Sequence, residues 1–407
     1  VSRWPNKYII GLTGNIATGK SVVRQMLQHS GAYTIDADSL THRVMMPGAP
    51  AYKPIVETFG QMIVGDDGKI NRQMLSSIVF SNAAALKKLE QITHPIIRQA
   101  IHALINRSKQ RVIVIEAIKL LEGDLAQEVD AVWVVNAKPQ TQYKRLLQKR
   151  KMSPEDAKRR MLAQSAQSEK VKQAHVVIDN NGDIEQTWKQ VRTQWNEIRK
   201  QLSQPSPGSR TAPAQAAARP AARPQPTASV AASSGSTAAP AGASDVTVRR
   251  GMPDNAGQIA AFLTARTGKE VSRMDVMMTF GQKSYHIAEN KDADLQGVMG
   301  WTVENLVTRI DETHLAPGAP VAPLVSALVT AIEAGSAELQ SEVSFIFLSE
   351  ETPTDLLRAF QANGYEQTTL PEIKIPVWRE AVEEALSVAK RHVLWKQLRQ
   401  DRVLQPI

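Results

Sequence analysis

Cysteine is absent from all 407 residues. That excludes disulfide staples, cysteine-ligated zinc or iron–sulfur centres and thiol nucleophiles, and it suits a reducing compartment. No apolar run approaches the roughly 18 residues that a membrane-crossing helix needs. Val1–Lys7, with Arg3, Trp4 and Pro5, lacks the pattern of a signal peptide, so a cytoplasmic address and no membrane partner are expected. Acidic and aromatic residues are both missing from Ser203–Ser244, where seven prolines interrupt the alanines and Val230 is the single branched aliphatic. Such a stretch cannot offset its chain entropy by burial, so it reads as a disordered Pro/Ala linker.

What is present divides into two halves. The length alone points to two or three domains. Residues 1–202 hold 30 Lys and Arg against 18 Asp and Glu, whereas residues 245–407 hold 16 against 22. The first half is therefore basic and the second acidic. Basic charge attracts phosphate, on a nucleotide or on a nucleic acid. No nucleic-acid-binding motif accompanies it, so no nucleic-acid partner is expected. The expected domains are 1–202 and 245–407.

The first half alternates. Apolar, β-branched runs at Tyr8–Leu12, Tyr33–Ile35, Arg111–Ile115, Ala131–Val135 and His175–Ile178 are separated by helical stretches such as Lys20–His29, Ala83–Asn106 and Pro139–Lys151. This pattern predicts an α/β fold, a parallel sheet covered on both faces. Ligands of such sheets bind beyond the carboxyl ends of the strands.

The first of these ends carries Gly14-Asn15-Ile16-Ala17-Thr18-Gly19-Lys20-Ser21 between a strand and a helix. This is the G-x-x-x-x-G-K-S of a P-loop in its required context. The glycines let successive N–H groups turn inward as an anion nest, and the helix adds its positive end. Lys20 reaches the β- and γ-phosphates, and the Ser21 hydroxyl ligates Mg²⁺. The second strand ends in Ile35-Asp36-Ala37-Asp38. Carboxylates at i and i+2 point opposite ways, so only one can face the P-loop, to take a hydroxyl proton or hold metal-bound water. Asp38 also stands where a helix N-cap would, before Ser39-Leu40-Thr41.

Four segments together, GLTGNIATGKS, IDAD with His42 after it, ITHP at Ile92–Pro95 and VIDNNG at Val177–Gly182, resemble the dephospho-CoA kinase family over about residues 8–200. The resemblance implies a P-loop core, a helical substrate region and a mobile lid. It implies phosphorylation of the ribose 3′-hydroxyl of dephospho-CoA by ATP with Mg²⁺. Asp38 would be the base, and Asp36 either structural or, with Ser21, a helper for Mg²⁺. ATP would be held by Gly14, Asn15, Ile16, Ala17, Thr18, Gly19, Lys20, Ser21 and Val22, with Asn180 near the adenine. Thr93-His94-Pro95 would shape the acceptor pocket, with His94 on the substrate or else merely in a turn between helices. Arg145, Arg150 and Arg160 stand where the family presents lid arginines, the first two as catalytic cations, Arg150 also on ATP and Arg160 on the substrate. Two segments depart from the family: Asn15 and Ala17 replace common glycines, and Lys119-Leu120-Leu121 replaces Pro-Leu-Leu. The alternatives are another P-loop small-molecule kinase, or a bifunctional kinase and acetyltransferase.

The second half resembles a GNAT-type N-acetyltransferase over about residues 246–370, an α+β fold, with strands at 246–250, 284–288, 297–302 and 342–348 and a helix at 324–339. Ahead of that helix the family binds pyrophosphate on backbone N–H groups. Here the segment is Leu315-Ala-Pro-Gly-Ala-Pro-Val-Ala-Pro323, and prolines have no N–H. Glu304 and Tyr365 are the polar candidates. Trp378–Val403 reads as an amphipathic helix, suited to packing on its own domain or to self-association.

Overall fold

The five apolar runs of the first half become five parallel strands in the computed structural model, which describes residues 4–203, 246–387 and 391–401. They are β1 (Tyr8–Thr13), β2 (Tyr33–Asp36), β3 (Val112–Glu116), β4 (Ala131–Asn136) and β5 (Val176–Asp179), in the order β2-β3-β1-β4-β5. The helices in chain order are α1 (Lys20–His29), α2 (Ala37–Val44), α3 (Tyr52–Phe59), α4 (Arg72–Ser81), α5 (Ala83–Arg107), α6 (Pro139–Arg150), α7 (Pro154–Leu162), α8 (Gln167–Lys172) and α9 (Ile184–Ser203). Successive strand residues face opposite sides. Ile9, Ile35, Ile113, Ile115, Val132 and Val134 pack under α2, α3 and α5. Ile10, Leu12, Val112, Val114, Trp133 and Val135 pack under α1 and α9. The parallel, doubly covered sheet is as expected.

The second half forms β6 (Thr247–Arg250), α10 (Ala256–Thr267), α11 (Arg273–Thr279), β7 (Ser284–Glu289), β8 (Leu295–Glu304), β9 (Val307–Leu315), α12 (Val321–Glu338), β10 (Val343–Ser349), α13 (Thr354–Ala362), β11 (Glu366–Thr368), α14 (Pro376–Leu386) and β12 (Arg391–Gln397). Among the described residues its seven strands run β11-β12-β10-β9-β8-β7-β6, and β9 with β10 is the one parallel pair. Three expectations change here. The single helix over Trp378–Val403 is instead α14 followed by β12, which pairs antiparallel with β10 from Val343↔Gln397 to Ser349↔Arg391. Self-association through such a helix therefore loses its basis. α12 is 18 residues long with mean hydropathy 1.2, long and apolar enough to cross a membrane. Its apolar face is nevertheless spent inside the protein: Leu324, Val325, Leu328, Val329 and Ile332 are all buried.

The third concerns how the expected domains 1–202 and 245–407 meet. Apart from Ser203, which ends α9, the Pro/Ala segment lies outside the described residues. The two flanks are not separate. The cluster under α1 and α9 continues into Ala256, Ile259, Phe280, Tyr285 and Val298 of the second half. Linker composition tells how two flanks are joined, not whether their surfaces match.

Candidate functional site

Each strand of the first sheet delivers a residue to one edge. After β1 the P-loop turns on Gly14 (φ +145°) and Gly19 (φ +99°). A Cβ on Gly19 would lie 2.1 Å from Asn180 Nδ2, so the loop admits no side chain there. Lys20 opens α1 with its side chain nearly enclosed, 8% exposed, and its ammonium donates to the Asn15 carbonyl at 3.3 Å. Burial pushes the Lys20 pKa down, against the pull of Glu116 and Asp38. Arg150, at the exposed end of α6, is close enough to act on it in the same direction as burial.

At the end of β2 the two aspartates separate by role. Asp36, not Asp38, is the N-cap of α2, and its Oδ1 accepts from the Ser39 N–H at 2.9 Å. Asp38 sits in the first helical turn and accepts from the Ile118 N–H at 3.2 Å. Its carboxylate opens onto a cleft, yet the surrounding protein and then Asp36 raise its pKa to about 6. The N-cap reading of Asp38 is thereby corrected; Asp36 caps α2 and stands opposite Glu116 in the register of β2 with β3. The carboxylate at Ser21 is Glu116, at the end of β3: Ser21 Oγ donates to its Oε1 at 3.1 Å, and Arg24 Nε to its Oε2 at 2.7 Å. Glu116 is buried.

The lid residues divide as well. Arg145 on α6 donates to the Ala17 and Thr18 carbonyls at 3.2 and 3.1 Å and to the Asn180 carbonyl at 2.7 Å. Asn180 donates Nδ2 to the Thr18 carbonyl at 2.7 Å, and its Oδ1 accepts from Thr187 Oγ1 at 2.9 Å. Both brace the P-loop from behind, so the Asn180 amide is spent on protein rather than offered to a base. Gln164 Oε1 accepts from the Ile16 N–H at 2.7 Å, and Gln167 Oε1 from the Asn15 N–H at 2.9 Å. Arg160 is exposed on α7 and does not line the acceptor cleft.

That cleft is a cavity of about 470 Å³ walled by α2, α4, α5 and the loop after β3. Asp38, Thr41, His42, Arg72, Ser76, Glu90, Thr93, His94, Arg98, Lys119, Glu122 and Asp124 supply its polar lining, and Leu75, Val79, Ile97 and Leu125 are among its apolar residues. Thr93, His94 and Pro95 lie inside the continuous helix α5, so the turn reading of His94 does not hold. Lys119 reaches the Glu90 carboxylate at 3.6 Å.

The family model for dephospho-CoA kinases matches residues 8–186. The dephospho-CoA kinase of Moorella thermoacetica is 39% identical over 206 residues, 49% of this chain and 97% of that protein. The chain belongs to the dephospho-CoA kinase family. It is a kinase for the final step of coenzyme A biosynthesis. A dephospho-CoA kinase structure from Campylobacter jejuni is also similar, 28% identical, covering 48% of this chain and 98% of that one with a TM-score of 0.35. An acetyltransferase of GNAT family from Streptococcus pneumoniae matches 38% of this chain and 99% of its own at 10% identity, with a TM-score of 0.29. Against the dephospho-CoA kinase pattern, Ala17 stands at φ +58°, a conformation glycine adopts freely and alanine does not. Glu116, Gln164 and Gln167 escape a reading by motif. Glu116 had one signal, its place directly after the apolar run Arg111–Ile115, at the carboxyl end of a strand.

Proposed function

We propose that Asp38 is the base that prepares the ribose 3′-hydroxyl of dephospho-CoA for the γ-phosphoryl group of ATP. The observation that supports this best is its position. Asp38 lines the acceptor cavity and lies in the electrostatic field of the P-loop lysine. With a pKa of about 6 it is ionised at neutral pH and can take the hydroxyl proton. Lys20 and the N–H groups opening α1 face the phosphate charge, and Arg150 adds a second cation from α6. The acceptor takes its place between Leu75, Val79 and Ile97 for its apolar parts and Arg72, Arg98 and Lys119 for its phosphates. His94 lies on the same wall.

Ser21 and Glu116 fit a magnesium ion that draws its other ligands from ATP and water. Among the described residues no cluster of three or more His, Asp or Glu could hold a metal unaided. Bound there, the ion would neutralise charge between the β- and γ-phosphates. We place the protein in the cytoplasm on the strength of its substrates. For the second half we propose a GNAT-like fold without the family's phosphate nest. Pro317 and Pro320 precede α12, and Pro323 lies in its first turn, where each removes an N–H. The test is ATP consumption with and without dephospho-CoA. Dependence on the acceptor, lost in Lys20→Ala, is expected. Equal hydrolysis without acceptor would overturn the reading.

A further inference from the structure

The second half grips the kinase half at the two helices whose first turns carry the chemistry. On α1, the His29 ring nitrogen Nε2 meets the Phe280 carbonyl at 3.0 Å and its ring meets the Phe280 ring edge-on at 5.3 Å. Gln25 Nε2 donates to Ser284 Oγ at 3.5 Å, and Val22 packs so closely on Gly281 that a Cβ there would lie 2.9 Å from Val22 Cγ1. On α2, Ser39 Oγ donates to Asn305 Oδ1, and Arg43 donates to the Asn305 carbonyl at 2.8 Å.

Asn305 and Leu306 form the tip of the β8–β9 hairpin, both left-handed at φ +52° and +62°. A leucine keeps such a conformation only where its surroundings impose it. Here Leu306 is buried, and its carbonyl accepts from the Glu342 N–H at 2.7 Å and from Ser341 Oγ at 3.0 Å. Gln340 Nε2, next to this anchor, donates to the Leu104 carbonyl of α5 at 3.0 Å. The tip is therefore a stiff finger.

It presses on the helix that carries Asp38. β2 is an edge strand and pairs with β3 alone, and α2 is eight residues long. Its first turn carries two carboxylates that repel each other. Ser39 bridges the finger and this turn: its N–H is on Asp36 and its hydroxyl on Asn305. We propose that Asn305 is a positioning residue for phosphoryl transfer, holding the first turn of α2 through Ser39 so that Asp38 stays aimed into the acceptor cavity. The Moorella kinase is matched over 97% of its length by half of this chain, so the finger is an addition to the kinase core.

The inference rests on Asp38 as the base. In the full chain, Asn305→Gly keeps the left-handed turn and removes the side chain. Ser39→Ala removes the same bond from the kinase side. Each should lower kcat about three- to tenfold, the effect of one hydrogen bond on a rate, with KM for ATP and dephospho-CoA within about twofold of wild type. Asn305→Asp keeps an acceptor and tolerates the turn, and should recover kcat to within about twofold. Arg273→Ala breaks the Arg273–Glu185 pair, an interface contact on α9 and α11 rather than on α1 or α2, and should leave kcat unchanged. Wild-type kcat in Asn305→Gly and Ser39→Ala, or an equal loss in Arg273→Ala, would overturn the proposal. Turnover retained in Asp38→Asn would instead defeat the assignment of the base.

Discussion

Asp38 owes its usefulness to a compromise between exposure and confinement. Its carboxylate opens onto the acceptor cavity, yet burial and Asp36 raise its pKa to about 6. A base must be ionised to act, so the rate should fall as pH drops through that value. The kcat/KM profile is expected to show an acidic limb near pH 6, and Asp38→Asn should cut turnover by about 10²-fold or more while ATP binding persists. A flat profile between pH 5 and about 7 would remove Asp38 from this role. Ala17 makes a contrasting case. At φ +58° it carries the cost of a left-handed alanine, about 1 kcal/mol. Ala17→Gly should recover part of that in thermal unfolding and leave the P-loop contacts intact.

Among the elements, α6 shapes the P-loop from outside through a charged donor. Arg145 spends its guanidinium on three carbonyls, two of them in the loop. Hydrogen bonds from a charged donor contribute about 1.5–3 kcal/mol each when buried, less where water competes. Arg145→Ala should therefore raise KM for ATP by about tenfold and lower kcat less, which steady-state kinetics would separate. The strands that end at this site are legible in the residues because each is an unbroken apolar run. The lid arginines are legible as a cluster but not by role. Nothing in QYKRLLQKR distinguishes Arg145, turned onto backbone carbonyls, from Arg150, left at the exposed end. β12 is misread for a physical reason. Val393 and Leu394 pack under and over one sheet, but the positions of Trp378, Val382, Leu386 and Val393 also fit a helical period. Pairing with β10 decides between these, and such pairing is invisible in a local pattern.

At the scale of the whole molecule, two buried histidines must stay neutral, one of them in the contact between the halves. His29 is fully enclosed, and burial together with Arg250 lowers its pKa to about 3. His286, stacked on Trp301, is lowered to about 4. A group with a depressed folded pKa takes up its proton in the unfolded chain first. The folded state therefore keeps its full stability above about pH 6.5 and loses it as pH falls towards the folded values. Each histidine should contribute a slope of up to about 1.4 kcal/mol per pH unit below pH 6. Denaturant midpoints at pH 7 and pH 5 would report this, and His29→Leu should flatten it. The same contact predicts that cutting the chain within residues 204–245 leaves the halves together. A protease site placed there should give fragments that co-elute on gel filtration. Separate elution would mean that the shared core is too weak to hold them.

The partner of His29 has a further consequence, in time rather than space. Phe280 lies 251 residues beyond it in the chain. A ribosome adding about 5–20 residues per second needs roughly 10–50 s to reach it. The last strand of the kinase sheet, β5, ends at Asp179, so that sheet can assemble well before the second half emerges. For that interval the nascent kinase shows water the face of α1 that it later covers. His29 then titrates as an ordinary histidine, and Gln25 and Val22 are open to any other apolar surface in reach. The nascent chain should be most prone to aggregation, and most in need of a chaperone, in this window between the two syntheses.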